Sequence, residues 1–110
     1  MTSRALWNAA RDGRNDVVMT LLKKNVDIEL KDDQGWTALH YAACDGHNDV
    51  VQILLENQAT VDAKDNGGAT PLYVAALNGN LKVVQTLLHN NAFVNDTTNN
   101  GDTPLHVASQ

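Results

Sequence analysis

Residues 32–64 read DDQGWTALHYAACDGHNDVVQILLENQATVDAK, and this stretch decides the fold. Asp32-Asp33-Gln34-Gly35 is a polar turn ending in a glycine that can take positive φ. Thr37 stands where an N-cap belongs, its hydroxyl free to accept a backbone N–H. A first helix is expected over about Ala38–Cys44, rich in the small residues Ala42 and Ala43 that let helices approach closely. Gly46 stops it. A second helix is expected over about Asn48–Asn57. There Val50, Val51, Leu54 and Leu55 fall on one apolar stripe at helical period, and Asp49, Gln52 and Glu56 mark the wet side. Ala59-Thr60-Val61-Asp62 is then extended and leads into the next turn.

The same pattern recurs on both sides at a step of 33 residues. Gly35, Gly68 and Gly101 keep it, and so do Gly13, Gly46 and Gly79. Thr37, Thr70 and Thr103 keep it, as do Leu6, Leu39, Leu72 and Leu105. The pairs Val17-Val18, Val50-Val51 and Val83-Val84 recur with it, each followed by Leu21-Leu22, Leu54-Leu55 or Leu87-Leu88. Pro71 and Pro104 occupy the first helical position, where a missing N–H costs nothing; the central unit has Ala38 there. Helices this short are unstable alone. Each unit buries its stripe only against a neighbour, so the expected architecture is an all-α solenoid with stability summed over adjacent pairs.

Composition agrees. A chain of 110 residues fits a single domain, and a hydrophobic share of 43% is enough to build a core. Only five residues are aromatic, which suits Leu/Val/Ala helix packing better than a β-sandwich. The net charge is −5 and the eight Lys and Arg are scattered, so neither nucleic acid nor an anionic membrane is an expected partner. With one cysteine, Cys44, no internal disulfide can form. The N-terminus has no signal-peptide core, and no apolar run reaches the roughly 18 residues of a membrane helix. A cytoplasmic home is expected.

Thr103-Pro104-Leu105-His106 followed by Ala108 matches the ankyrin signature Thr-Pro-Leu-His-x-Ala, and Thr70-Pro71-Leu72-Tyr73 and Thr37-Ala38-Leu39-His40 are close variants. With Gly46-His47, the Val-Val and Leu-Leu pairs and Ala92-x-Val94-Asn95, essentially the whole chain resembles the ankyrin-repeat family. The resemblance divides it into units 1–31, 32–64, 65–97 and an incomplete 98–110. The first opens directly on a helix, as N-terminal capping repeats do. The short last unit is expected to be the start of a repeat in a longer array, and to leave Leu105, Val107 and part of the preceding helix uncovered for weak self-association. Where the family usually has Gly after the second helix, this chain has Asn25, Gln58 and Asn91. Asn tolerates the left-handed conformation, and Gln58 there should cost roughly 1 kcal/mol.

The resemblance implies turns projecting as fingers, first helices lining a palm, and a protein partner held on that concave side. The implied finger positions are Asp33, Gln34 and Trp36, then Asn66, Gly67 and Ala69, then Asn99, Asn100 and Asp102. The palm positions are Arg11 and Asp12, Cys44 and Asp45, and Leu77 and Asn78. Trp36 stands out, because its equivalents Ser3, Ala69 and Asp102 show that the repeat does not demand a Trp. An exposed indole is a common interface anchor; the alternative is an indole lying across a neighbouring finger. Tyr41 reads as a packing residue, and Cys44 with Leu77 as a small apolar floor or as isolated surface residues. The rim (Asp12, Asp33, Asp45, Asn66, Asn78, Asp102) favours a basic or amide-bearing partner, softened by Lys31 and Lys64.

No catalytic constellation emerges. The resemblance gives His40 and His106 the task of tying adjacent turns together. His40 and Cys44 share an i, i+4 spacing, but no second pair completes a metal site. Cys44 and Asp45 are consecutive and point apart, and no phosphate-binding loop of the Gly-x-x-x-x-Gly-Lys type is present. No enzymatic activity, metal or cofactor is expected. The rival reading is a structural spacer within a longer array or larger signalling protein. Asn95 occupies the position where some ankyrin repeats are hydroxylated, without the preferred acidic residue two places before it.

Overall fold

The computed structural model describes residues 2–92 and 98–99, with side chains from Arg4 onward. Six helices follow one another: α1 (Thr2–Asp12), α2 (Asn15–Lys23), α3 (Ala38–Cys44), α4 (Asn48–Glu56), α5 (Pro71–Leu77) and α6 (Leu81–His89). Among the described residues there is no strand. None of these helices is long and apolar enough to cross a membrane.

The helices form two layers. Within a unit α1 packs on α2, α3 on α4 and α5 on α6. Between units α1, α3 and α5 stack in one layer, and α2, α4 and α6 in the other. The core lies between them. Leu6, Leu39 and Leu72, one per unit, are buried, and so are Val18, Val50, Val51, Leu54, Val83 and Leu87 from the second layer. Ala9, Ala10, Ala42, Ala43, Ala75 and Ala76 fill the contacts between first-layer helices, where a larger side chain would hold the backbones apart. Each fully buried leucine contributes about 2 kcal/mol of transfer free energy that no unit collects alone.

The N-caps are those expected. Thr37 Oγ1 accepts from the His40 N–H and Thr70 Oγ1 from the Tyr73 N–H at 3.2 Å. The second helices all end in a left-handed residue: Asn25 at φ 61, Gln58 at 75 and Asn91 at 69. Their N–H groups return to Leu22, Leu55 and Leu88, so the orphan carbonyls are closed without glycine.

The turns are hairpin-like. Asp32 N–H donates to the Trp36 carbonyl at 3.0 Å, and Asp65 N–H to the Ala69 carbonyl at 2.9 Å. Inside each turn one carboxylate oxygen takes two backbone amides: Asp32 Oδ1 from Gln34 and Trp36, Asp65 Oδ1 from Gly67 and Ala69. The turns then bond to one another, Asn66 N–H to the Gln34 carbonyl at 3.0 Å and Asn99 N–H to the Gly67 carbonyl at 2.8 Å.

On α6, the second helix of the third unit, Leu81 is 66% and Leu88 40% exposed. Leu105 and Val107, the rest of the expected sticky surface, lie outside the described residues, as do Asp102, Asn95 and the whole of 100–110.

Candidate partner-binding face

The side of the molecule bounded by α1, α3, α5 and the turns carries the candidate site. Its scaffold is a series of side chains that reach from one unit to the carbonyls of the unit before or after. Thr37 N–H donates to His40 Nδ1 at 3.1 Å, so Nδ1 is unprotonated and Nε2 carries the hydrogen; Nε2 donates to the Ala69 carbonyl at 2.9 Å. His40 is fully buried, and burial holds its pKa below the ordinary imidazole value although the Ala69 bond pulls the other way. The expected tie between adjacent turns is therefore present. With both nitrogens engaged, His40 has no lone pair to offer a metal alongside Cys44. His47 Nε2 donates to the Arg11 carbonyl at 2.8 Å, and Asn80 Nδ2 donates to the Ala43 and Cys44 carbonyls at 2.8 and 2.9 Å. Each unit thus caps the first helix of the unit before it. Among the described residues no group of His, Cys, Asp and Glu could hold a metal.

On this scaffold the proposed contact residues separate into two sets. Asp33, Gln34, Asp45, Leu77, Asn78, Asn99, Arg11 and Asp12 are exposed. Asn66 is exposed too, and three of the amides are also structural: Asn66 Nδ2 donates to the Asp33 carbonyl at 2.9 Å, Asn99 Nδ2 to the Asn66 carbonyl at 3.2 Å, and Asn78 Nδ2 reaches the Cys44 carbonyl and Sγ, each at 3.3 Å. Cys44 is half-buried, and that burial raises its thiol pKa with help from Asp45, which leaves it a poor nucleophile. Ala69 requires a correction. The residue is only 8% exposed, because both its backbone groups are held inward: its N–H donates to Asp65 Oδ1, and its carbonyl accepts from the Asp65 N–H and from His40 Nε2.

Trp36 is half-buried and lies across the neighbouring finger. Its Nε1 donates to Asp65 Oδ2 at 2.8 Å, its ring stacks on His40 with centroids 5.6 Å apart, and Tyr41 meets it edge-on at 5.0 Å. Of the two readings of this residue, the packing one has its contacts in place. Trp36→Phe, which keeps the stack and loses the hydrogen bond, is expected to cost about 1 kcal/mol. Trp36→Ala is expected to cost about 2 kcal/mol, less than a fully buried aromatic. Urea unfolding of both variants measures this; a Trp36→Ala midpoint equal to that of the parent chain would remove the packing role.

Tyr41 packs as expected. Its hydroxyl donates to Asp32 Oδ2, and burial followed by that bond pushes its pKa up to about 12. Burial opposes ionisation of Asp32, but the bonds from Tyr41 and from the Trp36 and Gln34 amides outweigh it and hold the carboxyl below its ordinary value.

Between α1 and the first finger lies a groove of about 590 Å³. Trp7 and Tyr41 line it, with Arg4, Asn8 and Arg11 on the α1 side and Lys31, Asp32, Asp33 and Gln34 on the finger side. Sequence reasoning placed Arg11, Asp33 and Gln34 on the face but missed Arg4, Trp7 and Asn8. Their signal was available, since Arg4, Asn8 and Arg11 stand at i, i+4 and i+7 on one stripe of α1. Asp32 and Asp65, which organise the fingers, were likewise legible as a pair 33 residues apart.

The family model described as Ankyrin repeats (3 copies) matches residues 6–98, and matches again over 60–110. No curated protein matches the sequence. Proteins of that family are in general protein–protein interaction modules without enzymatic activity. The helix pairs, the finger ladder and a family match spanning most of the sequence agree: the chain belongs to the ankyrin-repeat family.

Proposed function

We propose that this protein is a non-enzymatic, cytoplasmic module that holds a partner protein on the face formed by the fingers and the first-layer helices. The observation that carries the reading is the groove between α1 and the first finger, where aromatic walls and uncommitted polar groups lie within one concavity. The contact set is Arg11, Asp12, Asp33, Gln34, Cys44, Asp45, Asn66, Leu77, Asn78, Asn99 and the free edge of Trp36. Leu77 supplies exposed apolar area next to the polar Asn78, a mixture suited to an interface. A single cysteine, and therefore no internal disulfide, suits the cytoplasm.

Affinity capture from cell lysate followed by mass spectrometry tests this. A palm variant, Asp45→Arg with Leu77→Glu, should lose the captured partner by more than about tenfold. A variant of the opposite layer, Gln52→Arg with Glu56→Arg, should retain it; all four positions are exposed, so folding is spared. A partner kept by the palm variant and lost by the α4 variant would overturn the proposal.

A further inference from the structure

We infer that the groove between α1 and the first finger takes an extended acidic segment of the partner, with two carboxylates about three residues apart. This rests on the concave-face reading above and narrows it, setting at this groove an acidic occupant in place of the basic or amide-bearing partner that the rim residues by themselves favour. The chain has 13 acidic residues against eight basic ones, yet three of those eight, Arg4, Arg11 and Lys31, line this one groove. Their described partners are neutral. Arg11 donates to Asn8 Oδ1 at 2.8 Å and Lys31 to the Lys64 carbonyl at 2.8 Å, so both charges remain available to an anion.

Two acidic groups also line the groove. Asp32 has both oxygens engaged, one by two backbone amides and the other by the Tyr41 hydroxyl, but these donors are neutral and its charge remains. With Asp33 it sets two carboxylates against three cations, so the groove lining carries a net positive charge of one within an acidic chain.

The geometry sets the register. Arg4 and Arg11 are seven positions apart on α1, which at 1.5 Å per residue places them about 10 Å apart along the helix axis. An extended polyproline II segment rises about 3.1 Å per residue with three residues per turn, so carboxylates three residues apart lie on one side and match that span. Arg11 sits 5.9 Å from the centroid of the Tyr41 ring, which restricts its guanidinium, and bidentate carboxylate pairing benefits from that restriction. Trp7, tied by Nε1 to the Leu30 carbonyl at 3.1 Å, offers a fixed ring wall for an apolar residue between the two acids. Nucleic acid is the weaker fit, since its phosphates would run on beyond the groove over a chain whose net charge is −5.

The probe is a fluorescein-labelled dodecapeptide of repeated Glu-Pro-Leu, which places an acid at every third residue and favours the extended form. Anisotropy is read with the full chain at low and at physiological ionic strength. Expected are binding that weakens with salt, and an affinity about tenfold lower for the Gln-Pro-Leu peptide and for Arg4→Gln with Arg11→Gln, as two partly exposed ion pairs predict. Circular dichroism of that variant should be unchanged, since both arginines are exposed. No binding of the glutamate peptide, equal binding of the glutamine peptide, an undiminished double variant, or tighter binding of an oligothymidine of the same length would each overturn the inference. A captured partner lost by Asp45→Arg with Leu77→Glu but unaffected by the arginine variant would leave the concave-face reading standing and remove only the acidic segment.

Discussion

His40→Leu is expected to lower the stability of this protein by about 3 kcal/mol, because two buried backbone groups lose their partners at once. The Thr37 N–H bonds to Nδ1 and the Ala69 carbonyl to Nε2, both inside a site sealed from solvent. Leucine fills the volume and satisfies neither. The loss also uncouples two units, since Thr37 caps α3 while Ala69 closes the next turn, and in a solenoid the interface term is shared by both neighbours. The same residue predicts a pH dependence. Burial lowers the folded-state pKa of His40 below the ordinary value of 6.5, so the unfolded chain binds the proton more tightly. Stability is therefore complete above about pH 6.5 and falls as the pH is lowered toward the folded-state pKa, by at most about 1.4 kcal/mol per pH unit for one proton. Asp32, held below 3.8, adds a loss of the same direction only in stronger acid. Urea midpoints of the parent chain and of His40→Leu between about pH 7 and about pH 5 check both claims. The variant should start lower and decline less. Parallel pH curves would show that another group is the acid-sensitive one.

Gly35→Ala should also cost about 3 kcal/mol, by a mechanism confined to the fingers. Gly35 has φ +82, a conformation that L side chains resist. An added Cβ would lie 2.7 Å from the Asn66 backbone nitrogen and 3.0 Å from Asp65 Cα, atoms that cannot rotate away. To make room the second finger must move, and with it the Asn66 bonds to the Gln34 and Asp33 carbonyls. Gly79→Ala is the matched control. Its φ is +71, but among the described residues nothing lies within 4 Å of the added atom, so only the backbone term of about 1 kcal/mol remains. The difference between the two variants measures the contact between adjacent fingers; equal losses would reduce it to nothing.

Much of this architecture was legible residue by residue. Thr37 and Thr70 announce their caps, Gly46 its helix end, and Asn25, Gln58 and Asn91 their left-handed turns, because each feature is decided within about four residues of chain. The proposed contact face was legible less completely. Asp33, Asp45 and Leu77 were placed on it by repeat register, and they are exposed. Ala69 has the same register as Trp36 yet is covered, since exposure depends on what packs against a position and not on its register alone.

The sequence by itself determined the helix pairs, their 33-residue rhythm and the fact that they must stack, because short amphipathic helices cannot bury an apolar stripe unaided. Only the tertiary structure decided what Trp36 does, since its partner Asp65 is 29 residues away and local pattern cannot tell an indole aimed at solvent from one aimed at the next finger. Only the tertiary structure gathered Arg4, Arg11 and Lys31 around one groove in an acidic chain. Charges far apart in sequence act together only through space, and that arrangement is set by how α1 docks against the first finger.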